Sequence, residues 1–172
     1  MANTLNLIAT KTVGSGGAAT IIFSAIPQTF TDLILFASTR TTDSNQTQSL
    51  YYNGDLTAGN YNRGQYGLEY GSGSAYSYNI ADAGGNGMAT PTGYTALVFA
   101  SSKFYIPNYS LSGQTKTNFV YGQTENQAQA NYGSFSANRW TGTAAINEIR
   151  LQSSGNFVQY STASLYGIST TV

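Results

Sequence analysis

Apolar runs rich in β-branched and aromatic residues recur along the whole chain, each bounded by Gly, Pro, Ser, Thr or Asn. Nine of them, at 4–12, 18–26, 32–39, 48–53, 94–106, 116–121, 131–136, 144–153 and 157–168, have the length and flanking turn residues of β-strands. Helical periodicity is weak, because Gly, Thr, Ser and Asn are spread so evenly that a long helix would meet a breaker almost anywhere. A short helix near 126–131 is the one exception the pattern allows. Many short strands separated by turns predict an all-β, single-domain β-sandwich over residues 1–172, of jelly-roll type.

Alternation assigns faces. In 32–40, Leu33, Leu35 and Ala37 point one way while Asp32, Ile34, Phe36, Ser38 and Arg40 point the other, and this second face is apolar at its centre. The run 94–106 behaves similarly, with Leu97 and Phe99 opposed to Val98, Phe104 and Ile106. Both strands therefore need cover on two sides, from a second sheet, a loop or a neighbouring subunit. Near the C-terminus Ala145, Ile149 and Leu151 alternate with Ile146, Glu148 and Arg150, which puts the last two on a wetter face as a surface pair.

Turn chemistry supplies the punctuation. Pro27 lies between two apolar runs and is expected to reverse the chain between adjacent strands. Asn53-Gly54 favours a tight type I′ turn, and Pro107 ends the run before it. Gly14-Ser15-Gly16-Gly17 is followed by a strand pattern, with no Lys-Ser/Thr pair or helix, so it reads as a turn and not as a phosphate loop.

The stretch 56–93 stands apart. It is dense in Gly and Tyr and is expected to form a long loop-rich excursion at one end of the sandwich. Its Tyr61, Arg63, Tyr66, Tyr70, Tyr76 and Tyr78 are the candidate interface or ligand residues.

Composition narrows the chemistry. The chain has 172 residues with no Cys and no His, which removes disulfides, thiol nucleophiles, histidine bases and the usual zinc ligands. Seven basic residues balance seven acidic ones, so there is no net field to gather nucleic acid or an anionic membrane. No apolar run approaches the roughly 20 residues a membrane-spanning helix needs, and residues 1–4 lack the start of a secretory signal. Fourteen Tyr on a charge-poor chain suit an interface.

The acid/base groups are Asp32, Asp43, Asp55, Asp82, Glu69, Glu125 and Glu148. Glycoside hydrolysis needs two carboxylates facing each other across a cleft, which leaves Glu69 with Asp82 or Glu125 as the formal option, but no local motif supports it. Asp43-Ser44-Asn45-Gln46 has alternating oxygen ligands without the glycine and distal Glu of a calcium loop, and reads as a polar loop. Trp140, between Arg139 and Thr141-Gly142-Thr143, is either a ligand platform or a plug for the end of the sandwich. The strand that follows at once favours the plug. No enzyme activity, cofactor or metal is expected.

The segments Ser24 to Leu35, Phe104-Tyr105-Ile106-Pro107-Asn108-Tyr109, Trp140 with Thr143-Ala144-Ala145-Ile146, and Ser164-Leu165-Tyr166-Gly167-Ile168 together resemble small all-β virion structural proteins of tailed bacteriophages, either decoration-like or fibre-like. The resemblance implies synthesis in a host cytoplasm and a place on the virion surface. It implies a capsid decoration (cement) protein that binds the major capsid protein, stabilises contacts between capsomers and self-associates, with a homotrimer expected. The alternative is a receptor-binding or tail-tip module that reads cell-surface glycan through 56–93, since Tyr faces and planar amides suit hydroxyl-rich ligands.

Overall fold

The computed structural model describes residues 5–70, 74–80, 84–126 and 130–169, and the side chains at 70, 74, 78, 80, 125, 126, 130 and 131 lie outside that description. In chain order the strands are β1 (Leu5–Thr12), β2 (Ala18–Phe23), β3 (Asp32–Thr39), β4 (Thr47–Tyr52), β5 (Tyr61–Tyr70), β6 (Ser74–Ile80), β7 (Asn86–Met88), β8 (Ala100–Ile106), β9 (Lys116–Asn126), β10 (Ala130–Trp140), β11 (Ile149–Phe157) and β12 (Thr162–Ile168). A single 3-10 turn, Ala58–Asn60, precedes β5. Among the described residues no helix is long and apolar enough to cross a membrane.

The strands form two antiparallel sheets, β1-β12-β3-β8-β9-β10-β5-β6 and β2-β11-β4-β7. With the pairs β5/β6 and β9/β10 set aside, eight strands remain. The first, eighth, third and sixth of these make one sheet, and the second, seventh, fourth and fifth make the other. That interleaving is the double Greek key of a jelly roll. Each added strand pair is inserted within this framework, and together they extend one sheet by four strands.

The core lies where the two original sheets face each other. Leu33, Leu35, Phe104, Ile106 and Leu165 come from the larger sheet and meet Ile21, Phe23, Leu50, Tyr52, Ile149 and Leu151 from the smaller one, in one buried cluster. Each such side chain contributes roughly 1.5–3 kcal/mol by leaving water. Beyond β7 the smaller sheet ends, and the inner face of the extension becomes polar. Asn138 Nδ2 donates to Asn118 Oδ1 at 2.8 Å and to Ser136 Oγ at 3.1 Å, and Asn118 Nδ2 donates to the Tyr52 hydroxyl at 2.7 Å.

The four sequence segments that carry the virion resemblance meet at one end of the sandwich. The Tyr109 hydroxyl donates to the Pro27 carbonyl, Gln28 Nε2 reaches the Ile146 carbonyl at 3.0 Å, and Ile146 N donates to the Tyr109 carbonyl at 2.8 Å. Thr31 N bonds the Ile168 carbonyl at 2.9 Å, and the Asn108 N–H caps Asp32 Oδ1 at 2.9 Å. These motifs therefore close an end of the fold, where their backbone groups find hydrogen-bond partners.

Several expectations change. The turn at Pro27 does not join adjacent strands; β2 and β3 belong to different sheets, so the segment is a crossing between layers. The run 94–106 is strand only from Ala100, because the Arg40 guanidinium gathers the carbonyls of Thr92, Tyr94, Thr95 and Val98 and winds 92–98 into a loop. Of the short helix allowed near 126–131, residues 126, 130 and 131 are strand, and 127–129 fall outside the described residues. The stretch 56–93 does leave the jelly roll after its fourth strand, but β5 and β6 make sheet of much of it, and β7 within it is the fifth jelly-roll strand. Asn53 and Gly54 do take the paired positive φ, 52° and 71°, of a type I′ turn.

Candidate functional site

Alternation along the extended sheet creates two different surfaces. On the outer face one register row runs Phe36, Lys103, Tyr121, Phe135, Tyr66, and the next runs Leu7, Tyr166, Ile34, Tyr105, Phe119. Phe36, Phe119, Tyr121, Tyr66 and Leu68 are 42, 41, 56, 68 and 63% exposed, far more than aromatic and aliphatic side chains in a filled core. They are organised. Phe135 packs on Tyr121 at 5.1 Å and stacks with Phe119 at 6.1 Å, Phe36 meets Tyr166 edge-on at 5.8 Å, and Lys103 Nζ lies 5.9 Å from the Phe36 ring centre. Gly64 and Ala137 sink a hollow of about 530 Å³ between Phe119, Asn62, Asn79 and Arg139. The cover anticipated over Phe36 is thus not supplied by the described residues.

The outer face of the smaller sheet differs. It presents Thr20, Ile22, Thr47, Ser49, Tyr51, Arg150 and Gln152, and Arg150 lies 3.9 Å from Glu148 as the expected surface pair. One side of the sandwich carries rows of exposed aromatics, and the other is mostly polar with Ile22 and Tyr51 half-buried in it.

The second surface is a cleft of about 490 Å³ on the inner side of β5, at the end of the fold opposite the Pro27 cluster. Arg63, Gln65, Glu69, Tyr76, Asn86 and Tyr132 are among the side chains lining it. Tyr132 donates its hydroxyl to Glu69 Oε1 at 2.7 Å, and Gln46 Nε2 donates to the Tyr94 hydroxyl at 2.7 Å. Burial first, and then the proximity of Tyr132 and Glu69, pushes the Tyr94 hydroxyl up to about 12. Tyr76 lies across Gly67, where a β-carbon would meet the ring at 1.9 Å, so the cleft depends on glycine at that position.

The six sequence-derived candidates therefore scatter. Tyr61 is fully buried, donates to the Asp55 carbonyl at 2.8 Å and packs against Tyr51, Tyr52 and Trp140, so it is a core residue and not an interface one. Arg63 and Tyr76 line the inner cleft, whereas Tyr66 faces outward on the aromatic row. Tyr66 and Tyr76 sit on opposite faces of adjacent strands, yet both border a hollow of about 360 Å³ beside Gly67 and Gly133. The backbones of Tyr70 and Tyr78 belong to β5 and β6, and their side chains lie outside the described residues. Phe119, Tyr121, Phe135, Gln65, Asn86 and Tyr132 were not among the candidates. The alternation Thr117, Phe119, Tyr121 against Asn118, Val120 is the sequence signal that points to the first two.

Asp32, Asp43, Asp55 and Glu69 accept hydrogen bonds from neighbouring groups. Asp32 accepts from the Tyr105 hydroxyl at 2.7 Å, Asp43 accepts from Ser44 N and Asn45 Nδ2 within its own turn, and Glu69 holds Tyr132. Asp82 and the Glu125 side chain lie outside the description. Among the described residues no group of three or more His, Cys, Asp or Glu gathers as a metal site.

Trp140 is the plug. It stacks on Tyr61 at 6.4 Å, packs on Tyr52 at 5.6 Å, and donates Nε1–H to Asp55 Oδ2 at 2.7 Å. Burial alone would raise the Asp55 pKa, but the bonds from Trp140, Asn60 and Thr57 outweigh it and hold the carboxyl below its usual range. A carboxylate depressed in this way adds stability that is present above its unfolded value, about 3.9, and is lost as pH falls through the lower folded value. Asp55→Asn should be less stable than wild type at neutral pH and should lose less on acidification below about pH 4. Denaturant midpoints measured across that range check this, and parallel curves would refute it.

Comparison of the chain with family models, with curated proteins and with solved structures finds no match in any of the three.

Proposed function

We propose that this chain is a non-enzymatic phage virion protein, a decoration or cement protein that docks on the outer capsid through the aromatic face of its eight-stranded sheet. The observation that carries the reading is the asymmetry between faces: rows of exposed aromatics on one side, mostly Thr, Ser, Gln and a charged pair on the other. Contiguous apolar surface with this organisation marks an interaction site, and Tyr and Phe are the residues interfaces favour. A jelly roll whose motif segments close an end, and whose Asp32, Asp43, Asp55 and Glu69 accept hydrogen bonds from neighbouring groups, suits a protein that works by holding neighbours together. Cement function follows from mass action and avidity: a subunit that bridges capsomers stabilises only the assembled shell.

Electron-microscopy reconstruction of the source particle, with and without this protein, tests the proposal. Density on the capsid exterior in capsomer-scaled copy number, a lower temperature of DNA release without it and unchanged adsorption are the expected results. Particles that stay robust but no longer adsorb would replace this reading with the receptor-binding one. The homotrimer belongs to the same proposal, and light scattering that reports a concentration-independent monomer removes it.

A further inference from the structure

The geometry points to the inner cleft as a binding site for one neutral, hydroxyl-rich ring, the unit of a glycan. This inference stands apart from capsid docking, which uses the opposite face of the sheet. Its volume of about 490 Å³ falls within the range of small-molecule sites, roughly 300–1,000 Å³.

The lining has unused hydrogen-bonding capacity. Gln65 is 4% exposed and lines the cleft. Asn86 accepts from Ser49 Oγ through Oδ1, which leaves its Nδ2 donors, and Glu69 uses only Oε1 on Tyr132. Two amides and a half-used carboxylate bordering one cleft are groups that a polar occupant can engage. Planar amides and a carboxylate offer the donors and acceptors that vicinal hydroxyls pair with, and the Tyr76 ring supplies an apolar face for the C–H side of a sugar. Charge selects the class. The described lining carries one guanidinium, Arg63, and one carboxylate, Glu69, so the cleft as a whole favours a neutral ligand over a phosphate or an acidic sugar.

Saturation-transfer NMR on the whole chain, with the methyl glycosides of glucose, galactose, mannose and N-acetylglucosamine as probes, reads the site directly. At least one glycoside should receive transfer. Glu69→Gln, which keeps the shape of the side chain, and Gln65→Met should each weaken that binding by about tenfold or more. Phe36→Ala on the other face should leave it unchanged, and melting temperatures confirm that each variant folds. If Gln65→Met fails to fold, Glu69→Gln alone decides. The inference is overturned if none of the four glycosides binds, if binding survives Glu69→Gln, if Phe36→Ala removes it, or if sialylated or sulfated sugars bind while neutral ones do not. Because the assay uses isolated protein, its failure leaves the capsid reading standing.

Discussion

Replacing Trp140 with alanine is expected to lower the free energy of unfolding by about 3–5 kcal/mol, the usual cost of removing a large aromatic side chain from a core. Trp140 is 4% exposed and carries three dependencies at once: the stack on Tyr61, the contact with Tyr52, and the hydrogen bond that satisfies Asp55. Its removal leaves a cavity and a carboxylate without its indole donor. Phe36→Ala is the matched control. Although Phe36 lies on a strand whose inner residues Leu33 and Leu35 are fully buried, its own ring is 42% exposed and touches Tyr166 and Lys103. Its loss should cost about 1 kcal/mol or less in the isolated protein. Chemical denaturation of both variants checks the pair. A Trp140→Ala cost near that of Phe36→Ala would refute the plug, and a cost of several kcal/mol for Phe36→Ala would mean that the outer face is covered in solution.

The jelly roll was legible because its strands carry the period-two pattern and its turns carry Gly, Asn and Pro; 32–39 matches β3 residue for residue. Within the extension the expected runs 116–121 and 131–136 fall in β9 and β10, but β5 and β6 were not legible. Along β5, Tyr61, Arg63, Gln65 and Gly67 face inward and Asn62, Gly64, Tyr66 and Leu68 face outward, which reverses the ordinary assignment of apolar residues to the inside. A strand with a polar interior and an apolar exterior, and with glycines on both faces, reads as loop. The inner cleft was hidden for a further reason: Gln65, Asn86 and Tyr132 lie on three strands that only the sheet topology brings together. Trp140 was placed correctly although the strand expected to follow it at once, from 144, begins only at Ile149 and Trp140 itself ends β10, whereas Tyr61 was misplaced because nothing in its Gly-rich neighbourhood signals complete burial.

Tyr66→Asp combined with Tyr121→Asp should abolish attachment to the capsid and leave the fold intact. Both rings are more than half exposed in the free chain, at 68 and 56%, so two carboxylates there remain hydrated and the melting temperature should move little. On a docked face the same carboxylates would be stripped of water without partners, and burying an unpaired charge costs several kcal/mol for each ion. The two residues flank Phe135 in one register row, so the substitutions bracket its ring with charge on both sides. Cosedimentation of purified variant with particles that lack the protein measures the effect, and the expected loss is at least about a hundredfold in affinity, which corresponds to about 2.7 kcal/mol. Thr20→Asp on the polar outer face of the smaller sheet serves as the control and should bind like wild type. Unchanged attachment of the double variant would show that the aromatic face is not the docking surface. Loss of self-association, with attachment preserved, would assign the face to contacts between copies of this chain.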